Sequence, residues 1–223
     1  METLHALGPD DIQARSFEII AELLPDYDQA APEWPIVRRI VHATGDPSIA
    51  RLLRIHSRAV ESGLTALTAG CPIITDVRMV SSGINRSLAG RLGCEVLCAV
   101  DDPTVAEIAT KQKITRSAAA IINLSSRIPG AIVAIGNAPT ALFALLRLLE
   151  GGSGAPALVV GTPVGFVGAA ESKADLVRAA SPTLPFITVE GTRGGSSIAD
   201  AAVNALLQLA AQNREPSRAR EAR

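Results

Sequence analysis

The chain predicts an α/β protein, a doubly wound and mainly parallel sheet with a helical N-terminal segment, and three observations carry that expectation. Short apolar runs rich in β-branched residues end in turn residues. Segments of helical spacing alternate with them from about residue 57 onward, the pattern of strands joined by helical crossovers. The composition is 48% hydrophobic with only 3% aromatic residues, as expected where helices cover both faces of a buried parallel sheet.

Residues 10–24 and 35–43 have helical spacing, with Asp10 or Asp11 available to cap the first and Pro35 suited to the first turn of the second. Residues 47–53 read as a further short helix. Strands are predicted at 72–75, 95–100, 131–135, 157–160 and 186–189, and the helices between and after them at 57–69, 115–126, 138–149 and 196–211. A chain of 223 residues can bury one substantial core, so residues 1–211 read as a single domain. The final stretch 212–223, QNREPSRAREAR, is charged and has no apolar face, which predicts a disordered tail.

Formal net charge is −1, which gives no reason to expect a nucleic-acid partner. There is no uninterrupted apolar run of about eighteen residues. The start METLHALGPDD lacks the basic and apolar regions of a secretion signal. A cytoplasmic protein without a membrane partner is expected. Cys71, Cys94 and Cys98 have no paired C-x-x-C spacing and no flanking histidines at zinc intervals, so reduced core thiols and no metal site are predicted.

The most informative stretch for chemistry runs from Arg38 to Pro47. Gly45 suits a left-handed helix stop, and Asp46 before Pro47 reads as a cap on the next turn. His42 then falls near a helix carboxyl end, where free carbonyls favour a charged imidazole and Arg38 and Arg39 oppose it. Such a histidine can donate a proton to a ring nitrogen, or simply cap carbonyls. His5 and His56 are weaker candidates. Two strand-to-helix joints, Gly136-Asn137-Ala138-Pro139-Thr140 and Gly161 through Gly168, can offer free backbone N–H groups to a carboxylate. They can equally be tight turns alone. Arg15 with Ser16, Arg116 at a helix start, and Arg193 before Gly194-Gly195 are cations an anionic ligand could use. No nucleotide-loop, hydrolase-elbow or zinc-protease motif is present. The residues alone thus reach an α/β enzyme or binder for an anionic ligand.

An ordered series of motifs goes further. It comprises Ala14-Arg15-Ser16-Phe17, Val41-His42-Ala43-Thr44-Gly45-Asp46, Thr75-Asp76-Val77 with Met79-Val80, and Thr115-Arg116-Ser117. It continues through Ala134 to Phe143, Pro163 to Lys173, and Arg193-Gly194-Gly195-Ser196. Spread over residues 14–205, the series resembles the precorrin-8X methylmutase family, including its cobalt-precorrin-8 branch. The resemblance implies a 1,5-sigmatropic shift of a methyl group from C11 to C12 of a corrin precursor, giving a hydrogenobyrinic or cobyrinic acid skeleton. A concerted shift needs no nucleophile and no cofactor, since any cobalt belongs to the substrate.

By the same resemblance His42 is the catalytic group, protonating or hydrogen-bonding a ring nitrogen. Arg15, Ser16, Thr44, Asp76, Met79, Thr115, Arg116, Gly136, Asn137, Thr140, Gly165 and Phe166 are the implied substrate contacts. A homodimer with a tetrapyrrole substrate is implied as well. The variants around His42-Ala43 and Gly93-Cys94 look closer to the cobalt-using branch. Lys111-Gln112-Lys113-Ile114 and His56 depart from the family pattern and are expected to lie outside the chemistry. A non-catalytic tetrapyrrole carrier is the alternative, since it would need the same anion contacts without the histidine.

Overall fold

Residues 8–179 and 184–221 are described by a computed structural model, with side chains described for all of these except 9, 10 and 215–221. His5 therefore lies outside the described residues. The chain opens with helices α1 (Pro9–Leu23) and α2 (Trp34–Thr44), a 3-10 turn (Pro47–Leu52) and strand β1 (Leu53–Ile55). There follow α3 (Ala59–Thr68), β2 (Ile73–Thr75), α4 (Arg78–Gly83), α5 (Arg86–Leu92), β3 (Val96–Leu97), α6 (Pro103–Gln112) and α7 (Arg116–Asn123). A 3-10 turn (Ser125–Arg127) leads into β4 (Ile132–Ile135), α8 (Pro139–Glu150), β5 (Leu158–Gly161), α9 (Ala169–Ala179), β6 (Phe186–Val189) and α10 (Ser196–Glu221).

Local chemistry sets many of these boundaries. Pro9, Pro35, Pro103 and Pro139 each occupy the first turn of a helix, where the missing N–H has no partner to lose. Asp102 caps α6 by accepting from the Thr104 N–H at 2.9 Å, and Thr115 caps α7 by accepting from the Ala118 N–H at 3.2 Å. The first helix corrects the expectation of an Asp10 or Asp11 cap. Pro9 starts α1 earlier, so Gly8 is the cap residue and Asp11 reaches back to its N–H at 3.2 Å.

The six strands lie in the order β1-β6-β5-β4-β2-β3. All neighbouring pairs are parallel except β1 with β6, which is antiparallel with Leu53 opposite Val189. The sheet is mainly parallel, as predicted, but β1 is a correction: the sequence reading placed Leu53 in a helix. A strand of three residues at a sheet edge carries too short an alternation to be legible. β3 is likewise shorter than the predicted 95–100, because the chain turns away where the Asp102 N–H meets the Ala99 carbonyl at 3.0 Å.

Successive strand residues point to opposite faces. Ile73, Ile132, Ala134, Leu158, Val160 and Ile187 pack into a layer that includes α2, α3, α5 and α10. Ile74, Val133, Ile135, Val159 and Phe186 pack against α7, α8 and α9. The winding direction reverses between β2, which has β3 on one side, and β4 on the other. A doubly wound sheet opens its ligand crevice at the carboxyl ends of the strands beside such a reversal. Cys71 and Cys94 are buried and free, and Cys98 is only half-buried.

The last helix is drawn to Glu221, through the stretch predicted as a disordered tail. The backbone continues as a helix there, and Gln212, Asn213 and Arg214 are exposed. Among the described residues, no helix is long and apolar enough to cross a membrane.

Candidate active site

At the reversal point the fold brings Asp76, just beyond β2, against the start of α8. Asp76 is fully buried. It accepts backbone N–H groups from Gly136 at 3.1 Å, Asn137 at 3.0 Å and Ala138 at 2.8 Å. Burial pushes its carboxyl group above the usual range, and the backbone donors pull it back. The joint that the sequence offered to a substrate carboxylate is thus filled by the protein's own. Asp76 and the Gly136 and Asn137 N–H groups shape the rim from inside; they present no free donor to a ligand.

The second joint, after β5, is held by backbone bonds to the loop after β6: Gly165 N–H to the Thr192 carbonyl at 3.1 Å and Gly195 N–H to the Thr162 carbonyl at 2.8 Å. Gly194 is required at this crossing, since a Cβ there would stand 2.3 Å from the Thr162 carbonyl oxygen. The loop leaves Phe166 and Val167 93% and 91% exposed, with Met79 at 71% after β2. Arg193, read from sequence as a free cation, is spent within the protein: its guanidinium pairs with Asp46 and donates to the Ser48 hydroxyl at 3.0 Å. Its carbonyl accepts from the buried Lys173 ammonium.

That bridge fixes the end of α2. Gly45 adopts the left-handed conformation (φ 63°) and stops the helix, and Asp46 caps the 3-10 turn by accepting from the Ser48 N–H at 2.9 Å. His42 sits in the last turn, exposed, with its ring 5.6 Å from that of Phe17 in an edge-on arrangement. Arg38 lies over Phe17, 4.6 Å from its centroid. The Arg38 Nε is buried and has no hydrogen-bond partner among the described residues. Burial, and then the neighbouring Arg39, hold the guanidinium pKa below its ordinary value. An imidazole, an aromatic ring and a guanidinium with a spare donor therefore adjoin one another.

The other implied contacts on α1 and α2 are turned toward their own helices. Ser16 donates to the Ile12 carbonyl at 2.8 Å, Thr44 to the Ile40 carbonyl at 2.9 Å, and Arg15 pairs with Glu18 at 2.8 Å. His56 lies just beyond β1, beside the start of β6 and so at the other end of these strands, its Nδ1 accepting from the Arg58 N–H at 3.1 Å and its ring against Phe186. It caps the approach to α3.

On the other face, the Thr115 and Thr140 hydroxyls meet at 2.7 Å, joining the starts of α7 and α8. They border a cavity of about 540 Å3 that is also lined by Lys113, Phe143, Arg147 and Leu148. The sequence reading set Lys113 outside the chemistry and did not single out Phe143, Arg147 or Leu148 as contacts, whereas all four line this cavity. Helical spacing was the available signal, because Thr140, Phe143, Ala144, Arg147 and Leu148 recur on one face of α8. Arg116, exposed at the first position of α7, makes no ion pair among the described residues.

A family model described as precorrin-8X methylmutase matches residues 11–209. The chain belongs to that family. The cobalt-precorrin-8 methylmutase of Leptospira interrogans is 40% identical over 210 residues, 92% of this chain and 96% of the relative. The precorrin-8X methylmutase of Pseudomonas aeruginosa is 45% identical over 168 residues, 75% of this chain and 80% of the relative. The crystal structure of the precorrin-8X methylmutase from Thermus thermophilus superposes with a TM-score of 0.82 at 39% identity, covering 91% of this chain and 98% of that one. Both the cobalt and the cobalt-free names occur among methylmutases of similar identity, so the comparisons do not divide the branches.

Proposed function

We propose that this methylmutase moves a methyl group from C11 to C12 of precorrin-8X, or of its cobalt form, with His42 as proton donor or hydrogen-bond partner to a ring nitrogen. In a 1,5-sigmatropic shift the carbon–carbon bond at C11 breaks as the bond at C12 forms, with no net gain or loss of electrons. The protein is left to orient the macrocycle and bias its electrons. A proton on a ring nitrogen next to the migrating group draws density from the π system and eases the shift.

The observation that carries this reading is the exposed imidazole at the carboxyl end of α2, flanked by Phe17 and Arg38. An aromatic edge suits a flat macrocycle, and the Arg38 guanidinium over Phe17 places a positive charge near one of its carboxylates. Arg116, Thr115 and Thr140, with Lys113 and Arg147 on the cavity wall, are proposed to receive further acetate or propionate groups. Arg15, Ser16, Thr44, Met79, Gly165 and Phe166 complete the proposed contact set. Asp76, Gly136 and Asn137 enter it as residues that shape the rim, on account of their mutual bonding. A homodimer is proposed as well, with exposed Val167 beside Phe166 as apolar surface available to a partner.

An anaerobic absorbance assay tests the reading. Purified protein is mixed with precorrin-8X and, separately, with cobalt-precorrin-8. Conversion of either to the hydrogenobyrinic or cobyrinic acid spectrum is expected, and the faster one identifies the branch. Binding of both with conversion of neither would overturn the proposal in favour of a carrier.

A further inference from the structure

Lys173 is 1% exposed in α9 and forms no salt bridge among the described residues. The charged groups beside it are already engaged. Glu190 and Arg178 line the same cavity of about 290 Å3, but Glu190 pairs with Arg54 at 2.8 Å and Arg178 pairs with Asp175. A lysine ammonium is thus buried against one neutral carbonyl, that of Arg193. Burial pushes its pKa down to about 8, the direction expected of a charge taken out of water without a counter-ion. An apolar side chain of similar volume would serve the core at least as well.

What the ammonium holds is the loop after β6. The carbonyl it grips belongs to the residue whose guanidinium pairs with Asp46 and bonds to Ser48. Asp46 directly follows Gly45, the residue that ends α2 just beyond His42. Gly194 wedges the same loop against the Thr162 and Pro163 carbonyls, so the loop cannot slide toward β5. We infer that Lys173 is a positioning residue for His42: by holding the Arg193 carbonyl it aims the guanidinium at Asp46 and so sets the carboxyl end of α2. The inference rests on the reading of His42 above. Lys173 touches no substrate; it acts through Arg193 and Asp46.

The test compares Lys173→Met, Lys173→Arg, Asp46→Asn and the Lys173→Met/Asp46→Asn double variant. For each, kcat and KM on the converted substrate and the melting temperature are measured. Misplacing a catalytic group by about 1 Å can cost roughly a hundredfold in rate, so Lys173→Met is expected to lower kcat about ten- to a hundredfold. KM stays within about twofold, and the melting temperature holds or rises, as for other buried charges replaced by apolar groups. Lys173→Arg restores part of kcat. The double variant is no slower than the slower single one, because both substitutions cut the same link. Wild-type kcat in Lys173→Met, a kcat loss that only tracks a falling melting temperature, or effects that multiply in the double variant would each overturn the inference. Wild-type turnover by His42→Ala would instead overturn the reading of the site on which it rests.

Discussion

Replacing Asp76 by alanine tests how the reversal point is built. The substitution removes the acceptor of three backbone N–H groups, at 2.8, 3.0 and 3.1 Å, at a position with no exposed surface. Hydrogen bonds to a charged group contribute about 1.5–3 kcal/mol each, and a buried donor left unsatisfied costs about 1–3 kcal/mol. Two effects reduce the total. The buried carboxylate already carries a desolvation cost, seen in its raised pKa, and a water can enter the space left behind. The net loss is expected at about 3–5 kcal/mol, in the upper tail of single substitutions. Asp76→Asn should cost about 1–3 kcal/mol less, because its amide oxygen still accepts while its NH2 opposes at least one donor. Urea unfolding at pH 7, followed by circular dichroism, measures both. An Asp76→Ala protein within about 1 kcal/mol of wild type would refute the argument that this carboxylate organises the joint.

Gly194→Ala places a Cβ 2.3 Å from the Thr162 oxygen and 2.6 Å from the Pro163 oxygen, both backbone. The loops must separate, and a thermal melt should register a loss of about 3 kcal/mol. Lys113 caps α6 with φ 55°, a conformation in which glycine avoids the Cβ penalty. Lys113→Gly should therefore stabilise the fold by about 0.5–1 kcal/mol, raising the melting temperature by about 1–4 °C. Loss of stability would show that its side chain matters more than its backbone. Burial raises the Asp200 pKa from 3.8 to about 6, against the pull of Arg39 and the Ala201 N–H. The folded state thus holds the proton more tightly than the unfolded chain, so this contribution is full below pH 3.8 and is lost as pH rises through about 6. Denaturation of Asp200→Asn across pH 4–7 should show the variant gaining on wild type over that window, and a flat difference would contradict the shift.

The fold was legible where chemistry repeats over many residues. Buried β-branched runs located β2, β4, β5 and β6, and proline or capping residues located the starts of α2, α7 and α8. Three-residue β1 and the short helices α4 and α5 were not legible, because each is shorter than the window that reveals a period, and α6 and α9 were not predicted either, although they run to 10 and 11 residues. Within the site, Gly45, Asp46 and His42 were readable as a helix stop, a cap and a helix-end imidazole, since each rests on local chemistry. The fates of Asp76 and Arg193 were not. Asp76 bonds to residues about sixty positions away and Arg193 to Asp46 across the sheet edge, and such pairings arise only once the strands are ordered. The same limit hid Lys173, whose partner is a carbonyl with no signature in sequence.

The most direct test of the central claim is single-turnover conversion by His42→Ala beside wild type, with substrate affinity measured separately by fluorescence quenching or absorbance. The account predicts a fall in the methyl-shift rate of about 10²–10⁴-fold, with the dissociation constant changed by less than about threefold. Because only the transition state would lose its partner, rate and affinity should separate. A His42→Ala protein that converts substrate at the wild-type rate would contradict it.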